Sequence, residues 1–410
     1  MLSRRTLLQT AALAMLPPLR APRAEDMAGE DMLWADSPWV TDREIRIGNT
    51  APYSGPLAPY SAIAQTQAAY FRMVNARGGV NGRRITFISR DDGYSPRRAL
   101  DETRRLVTEE RVALLFNGLG TRTQAAVRPY LNNRRVPQLF VGSPAEEWDD
   151  PQQYPWSMGF SPSARTEAEI YGKFIRQERP GARIGVLYQN DGFGQDYLIG
   201  LRHALGDAYP DMVVKEAPYE VTDATIEHQA RALKAAGADA VVTAAASRWA
   251  IQMIRAMAAL DWKPLHCMTY ASSSVGVVIR PAGLAHANGM ITAEWMKDPT
   301  DARWVHDAGM ATWRAFMVKH HPAGDVSDIN TVYGYAVAHV LVRVLEQCGD
   351  DLSRANIMRQ AANLVDLEVP VLLPGVRVNT SPANYRPIRA MRLHRWGRNG
   401  WEEFGPVISV

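Results

Sequence analysis

Cysteine is scarce in this chain of 410 residues: there are two, Cys267 and Cys348. That excludes a disulfide-built scaffold and any Cys-x-x-Cys redox or zinc site, and two unpaired, largely buried thiols are expected. Long apolar runs are missing as well. Spanning a bilayer takes ~20 apolar residues, and no stretch approaches that. No basic patch is interleaved with aromatics, and the formal net charge is only +3, so nucleic acid is not an expected partner. Catalytic motifs are absent too: no Gly-x-Ser-x-Gly, no His-Glu-x-x-His, no Gly-x-x-x-x-Gly-Lys. Gly118-x-Gly120 and Gly192-x-Gly194 each lack the third glycine of a dinucleotide fingerprint. His320-His321 are adjacent and cannot pair on one helix face around a metal. Neither a metal nor a cofactor is expected, and no enzyme activity.

What is present starts with Ser3-Arg4-Arg5-Thr6-Leu7-Leu8, two arginines ahead of an apolar run from Leu7 to Leu16. Residues 1–24 read as an export signal of the twin-arginine kind, and 25–43 as a polar leader. Periplasmic localisation follows as an expectation.

From Ile45 to Arg280, apolar strands alternate with amphipathic helices. Arg84 to Arg90 alternates as a half-exposed strand, and Val112 to Phe116 is continuous like a buried parallel one. Ser95-Pro96 reads as a helix N-cap followed by proline. The spacing predicts helices over 121–133, 165–178, 195–209, 225–236, 249–260, 304–320, 331–347 and 352–363. Strands are predicted over 138–141, 183–188, 212–217, 238–244, 265–270, 376–378 and 391–394. Two successive runs of β-α units predict an α/β chain of two doubly wound, parallel-sheet lobes. The strand–turn–helix from Ile45 through Tyr53-Ser54-Gly55-Pro56 to Tyr60 is the kind of strand end at which such sheets hold small ligands.

Several of these stretches carry a resemblance. They are Ile47-Gly48 to Ser54-Gly55-Pro56, Asn75-Ala76-Arg77-Gly78-Gly79-Val80-Asn81-Gly82, Asp91-Asp92, Gly118-Leu119-Gly120-Thr121, Tyr188-Gln189-Asn190-Asp191-Gly192-Phe193-Gly194 and Tyr333-Gly334-Tyr335. In this order the chain resembles the type I periplasmic substrate-binding proteins of ABC importers, in the branched-chain amino acid-binding (Leu/Ile/Val) group. Asp149 to Phe160, Asp298-Pro299 and Pro374 to Phe404 are similar to a sub-branch that binds aromatic or other non-amino-acid compounds. The resemblance implies a monomer with three crossings, near 156–162, 289–296 and 374–380. Lobe 1 would be 44–158 plus 297–373, and lobe 2 would be 163–290 plus 381–410. It also implies a small-molecule ligand held in the cleft, closure of the lobes upon it, and permease subunits in the inner membrane as partners.

By the same resemblance, Tyr60 and Phe193 match cleft-facing aromatics. Gly118, Leu119, Gly120 and Thr121, and Gly142 with Ser143, end strands before helices, where free N–H groups suit a carboxylate. Ala246, Ser247 and Arg248, and Tyr270, Ala271 and Ser272, end strands in lobe 2. Amino-acid binders of the family carry a hydroxyl where Gly120 stands, a threonine where Ala145 stands, a tyrosine near Ala246, and near Ala271 a carboxylate for the ligand ammonium. Losing them disfavours a free amino acid, since a buried unpaired ammonium costs several kcal/mol. Glu146 or Glu147 could substitute after a small shift in alignment. Arg248 offers a cation, so the preferred ligand is an apolar or aromatic carboxylate. The alternatives are a branched-chain or other amino-acid binder, a periplasmic sensor feeding a signalling receptor, and, last, a periplasmic oxidoreductase.

Overall fold

The computed structural model describes residues 39–398 and 400–409; the expected export signal and all but the end of the leader lie outside them. The first five strands are β1 (Glu44–Ala51), β2 (Arg84–Asp91), β3 (Leu114–Phe116), β4 (Gln138–Val141) and β5 (Ser157–Gly159). They form one parallel sheet in the order β2-β1-β3-β4-β5. The next seven are β6 (Ile184–Gln189), β7 (Val213–Tyr219), β8 (Ala240–Ala244), β9 (Leu265–Met268), β10 (Ile291–Glu294), β11 (Ala390–Gly397) and β12 (Gly400–Ser409). Their order is β12-β11-β10-β9-β8-β6-β7. The chain is thus α/β with two lobes. The second sheet is mixed rather than wholly parallel, because β11 returns antiparallel to β10 and β12 antiparallel to β11.

Helices follow strands as a doubly wound fold requires. They are α1 (Ser61–Ala76), α2 (Pro96–Thr108), α3 (Thr121–Asn133), α4 (Ala164–Glu178), α5 (Gly192–Leu205), the single turn α6 (Tyr209–Met212), α7 (Glu227–Ala235), α8 (Ser247–Ala259), the single turn α9 (Arg280–Ala282), α10 (Ala308–His320), α11 (Ile329–Cys348) and α12 (Arg354–Ala361). Side-chain caps set many of the starts. Ser95 accepts from the Arg98 N–H, Ser163 from Thr166, and Asp328 from Asn330. Asp191 accepts from Gly194, which starts α5 earlier than the apolar spacing suggested; Gly206, at φ +56°, ends it at Leu205. Asp307 caps α10 and separates it from the short turn Ala302–Trp304. Val376 to Val378 forms no strand; Val378 makes one isolated bridge to Leu367.

The chain passes between the sheets after β5, after β10 and before β11. The last passage comes later than expected. Tyr385 still bonds the Asp149 carboxylate and the Pro155 carbonyl, and Arg386 pairs with Glu146 and Asp149. The chain therefore leaves the first lobe between Pro387 and Ala390 rather than within Pro374 to Thr380. Cys267 and Cys348 are both buried and free. No helix among the described residues is long and apolar enough to cross a membrane.

Candidate functional site

A cavity opens where the carboxyl ends of the two sheets face each other. Leu57 and Tyr60 follow β1, Tyr94 follows β2, Leu119 to Thr121 follow β3, and Gly142 to Pro144 follow β4. From the other lobe come Gln189 and Phe193 around the β6–α5 turn, Ala245 and Ala246 after β8, and Ala271 after β9. A second hollow shares Tyr60, Leu119, Gly142, Ser143, Pro144 and Ala271 with the first. It extends past Tyr270, Met296 and Tyr333.

Tyr60 joins the lobes. Its hydroxyl donates to the Ala271 carbonyl (2.9 Å) and accepts from the Ser247 N–H (3.1 Å). The N-cap of α8, Ala246, has no side-chain oxygen of its own, so a tyrosine from the opposite lobe satisfies one of the free N–H groups of that helix. Other bonds across the cleft run from Gln189 Nε2 to the Tyr94 hydroxyl (3.3 Å), from Ser274 Oγ to Asp328 (2.8 Å), and from the Glu146 N–H to Asp196 (2.6 Å).

The polar part of the cavity is built at the start of α3. Gly120, at φ +103°, is its N-cap and provides no capping side chain. Thr121 Oγ1 and Ser143 Oγ lie 2.7 Å apart, and Ser143 Oγ also accepts from the Ala145 N–H. Neither hydroxyl has an imidazole, amine or carboxylate partner that would activate it as a nucleophile. Two hydroxyls beside a helix N-terminus form a binding surface for an anionic or carbonyl oxygen.

No charged side chain lines either hollow among the described residues. Arg248 is exposed and donates to the Ala224 carbonyl (3.2 Å), away from the cleft, because its place in the first turn of α8 faces solvent. Glu147 is held by Arg128 (2.6 Å) and Glu146 by Arg386, so neither stands in for a lost ammonium partner. Of the residues singled out in the sequence, Tyr60, Leu119, Gly120, Thr121, Gly142, Ser143, Phe193, Ala246, Tyr270 and Ala271 line the hollows. Gly118 sits behind the wall, where a Cβ would meet the Gln124 side chain at 2.3 Å. Ala145 packs with Val141 and Trp148. Ser247 and Ser272 line neither hollow but meet the Tyr60 hydroxyl, and Ser272 also bonds the Ala245 carbonyl.

Sequence reasoning passed over Tyr94, Gln189 and Tyr333. All three stand next to or inside stretches quoted above, and Tyr94 and Gln189 share the signal of the others: they stand at or just beyond a strand end before a helix. A fourth group lies behind the site. Glu167 accepts from Tyr171 (2.6 Å), from Tyr197 and from the Tyr270 N–H (2.7 Å), and burial pushes its carboxyl up to about 7.

A family model described as periplasmic binding protein matches residues 44–400, and the chain belongs to that family. Leu/Ile/Val-binding protein homolog 7 of Brucella abortus (strain 2308) is 26% identical over 208 residues, covering 48% of this chain and 51% of the relative. The chain thus matches about half the length of that relative. A branched chain amino acid ABC transporter from Thermus thermophilus, solved with bound valine, superposes with a TM-score of 0.79 at 15% identity, over 90% of this chain and 98% of the other. A solute binding protein of an ABC transporter from R. palustris, solved with benzoate, superposes with a TM-score of 0.73 at 19% identity, over 90% and 98%. At such identities these structures establish the fold.

Proposed function

We propose that this chain is the exported solute-binding component of an ABC importer, and that its cargo is a small carboxylate with an aromatic or apolar body. The observation that carries this reading is a cleft with hydroxyls at a helix N-terminus and, among the described residues, no charged side chain on its walls. An α-amino acid would bring an ammonium with no carboxylate to meet it, at a cost of several kcal/mol. A lone carboxylate needs less. The Thr121 and Ser143 hydroxyls and the free N–H groups of α3 would take its oxygens, while Leu57, Tyr60, Tyr94 and Phe193 would surround its body. Arg248 has no part in this reading. The benzoate bound by the R. palustris relative is a ligand of this kind. Ligand capture would hold the lobes together, the form that a permease in the inner membrane would receive.

Calorimetry on residues 25–410 with benzoate, benzamide, a short aliphatic acid and valine tests the ligand. Binding of the acids in preference to benzamide and valine is expected; binding of valine alone overturns the reading. A reporter carrying residues 1–43 tests export. Replacing Arg4 and Arg5 by Lys should hold it in the cytoplasm, and unimpaired export would remove the twin-arginine assignment.

A further inference from the structure

Gly120 has no room for a side chain. A Cβ there would lie 2.3 Å from Tyr94 Cε2 and 2.8 Å from Thr123 Oγ1. The space that a residue at 120 would fill is therefore occupied by a ring delivered from a different loop. The delivery is local. Asp92 accepts from the Tyr94 N–H (2.8 Å), and its carbonyl accepts from the Ser95 N–H (2.9 Å). This Asx-type turn holds Gly93 and Tyr94 in the left-handed region, at φ 56° and 59°. A β-strand continued past Asp92 would not place the ring over the start of α3. The far end of the ring is fastened across the cleft, where the hydroxyl accepts from Gln189 Nε2, itself held by Asp191 (2.6 Å) and Tyr219 (3.0 Å).

Tyr94 is buried and lines the cavity, yet it makes no ring contact with another aromatic side chain among the described residues. From this geometry we infer that Tyr94 is the specificity-determining residue of the cleft: it closes the cavity over Gly120, stacks on the ligand body, and limits the body to about one ring. The inference rests on the carboxylate reading for the ligand's head and adds the size limit on its body.

The test uses paired ligands that differ by one fused ring: benzoate with 2-naphthoate, benzamide with 2-naphthamide, and phenylalanine with 3-(2-naphthyl)alanine. Affinities are measured by calorimetry for the wild type, Tyr94→Ala, Tyr94→Leu and Tyr94→Phe. In whichever pair binds, the wild type should prefer the shorter member by at least roughly tenfold. Tyr94→Ala should weaken the shorter member, strengthen the longer one and reverse the order. Tyr94→Phe keeps the ring and should keep the order. Tyr94→Leu supplies the same comparison should the alanine variant fold poorly, and should at least level the two. A Tyr94 variant that lowers both members by the same factor, leaving the ratio unchanged, overturns the size limit. Which pair binds reports separately on the head-group chemistry: a selective amide or amino acid sinks the carboxylate reading while the ratio still decides on Tyr94. A wild type that binds no pair overturns both.

Discussion

Tyr60 shows how much one hydroxyl can carry. It completes the N-terminus of α8 and satisfies the Ala271 carbonyl, both in the opposite lobe. Tyr60→Phe keeps the ring and leaves those two backbone groups unmatched when the lobes meet. At ~0.5–1.5 kcal/mol per hydrogen bond, ligand affinity should fall about tenfold in calorimetry, with little change in the melting temperature of the free protein. Thr121 belongs to the ligand's head. Thr121→Val should weaken an acid ligand roughly tenfold and leave a neutral ligand of the same shape nearly unaffected; equal losses would separate Thr121 from the carboxylate. Arg248 is the opposite case. Since it bonds Ala224 at the surface, Arg248→Ala should leave affinity within about twofold, and a large loss for acids alone would restore it to the site.

At the scale of elements, Glu167 is a junction. It sits in the first turn of α4 and bonds Tyr197 of α5 and the Tyr270 N–H beyond β9. The Tyr171 hydroxyl lies 2.6 Å from both Glu167 and the Met268 carbonyl and accepts from the Ala293 N–H of β10. Burial raises the Glu167 carboxyl from an ordinary 4.5 to about 7. Between those values the folded chain keeps a proton that the unfolded chain has released. Its contribution to stability is therefore full below about 4.5, is lost as pH rises to about 7, and is level above, on the order of 3 kcal/mol in all. Asp92 and Asp298, each raised to about 6 by burial, act in the same sense, while Asp91, held near 2 by Ser54, Gly93 and Arg98, acts in the other. Comparing variant with parent isolates Glu167. In Glu167→Gln the fall in melting temperature between pH 5 and pH 8 should shrink by several degrees; an unchanged fall would mean that the carboxyl ionises without penalty.

At the scale of the molecule, several of the bonds between the lobes are exposed. Arg122 pairs with Glu220 across the cleft (3.0 Å) with both side chains more than a third accessible. Such a pair is screened by salt and contributes little. Arg122→Ala should cost at most about threefold in affinity and should flatten its dependence on ionic strength. Ligand burial would then be the larger influence on closure. Saturation at ~100 times the dissociation constant stabilises by ~2.7 kcal/mol, visible as a rise of several degrees in melting temperature. A smaller radius of gyration in X-ray scattering should accompany it; a melt shift without compaction would argue against closure on binding.

Local chemistry was enough to mark the helices and most strands: Ser95, Ser163 and the apolar runs of β3 and β4 act through neighbours a few residues away. The strand ends facing the cleft were legible for the same reason, and ten of the singled-out residues line the hollows. Tertiary structure alone decided the rest. Whether Arg248 faces ligand or solvent depends on the rotation of α8 against its sheet, which a cation in the first turn does not reveal. Tyr94 enters the cavity because a left-handed turn at Gly93 and Tyr94 aims it over a glycine 26 positions later. Spacing carries no record of such an approach. The absence of charge from the cleft likewise emerges only when fourteen scattered residues form one wall and the nearby carboxylates are seen to be paired elsewhere.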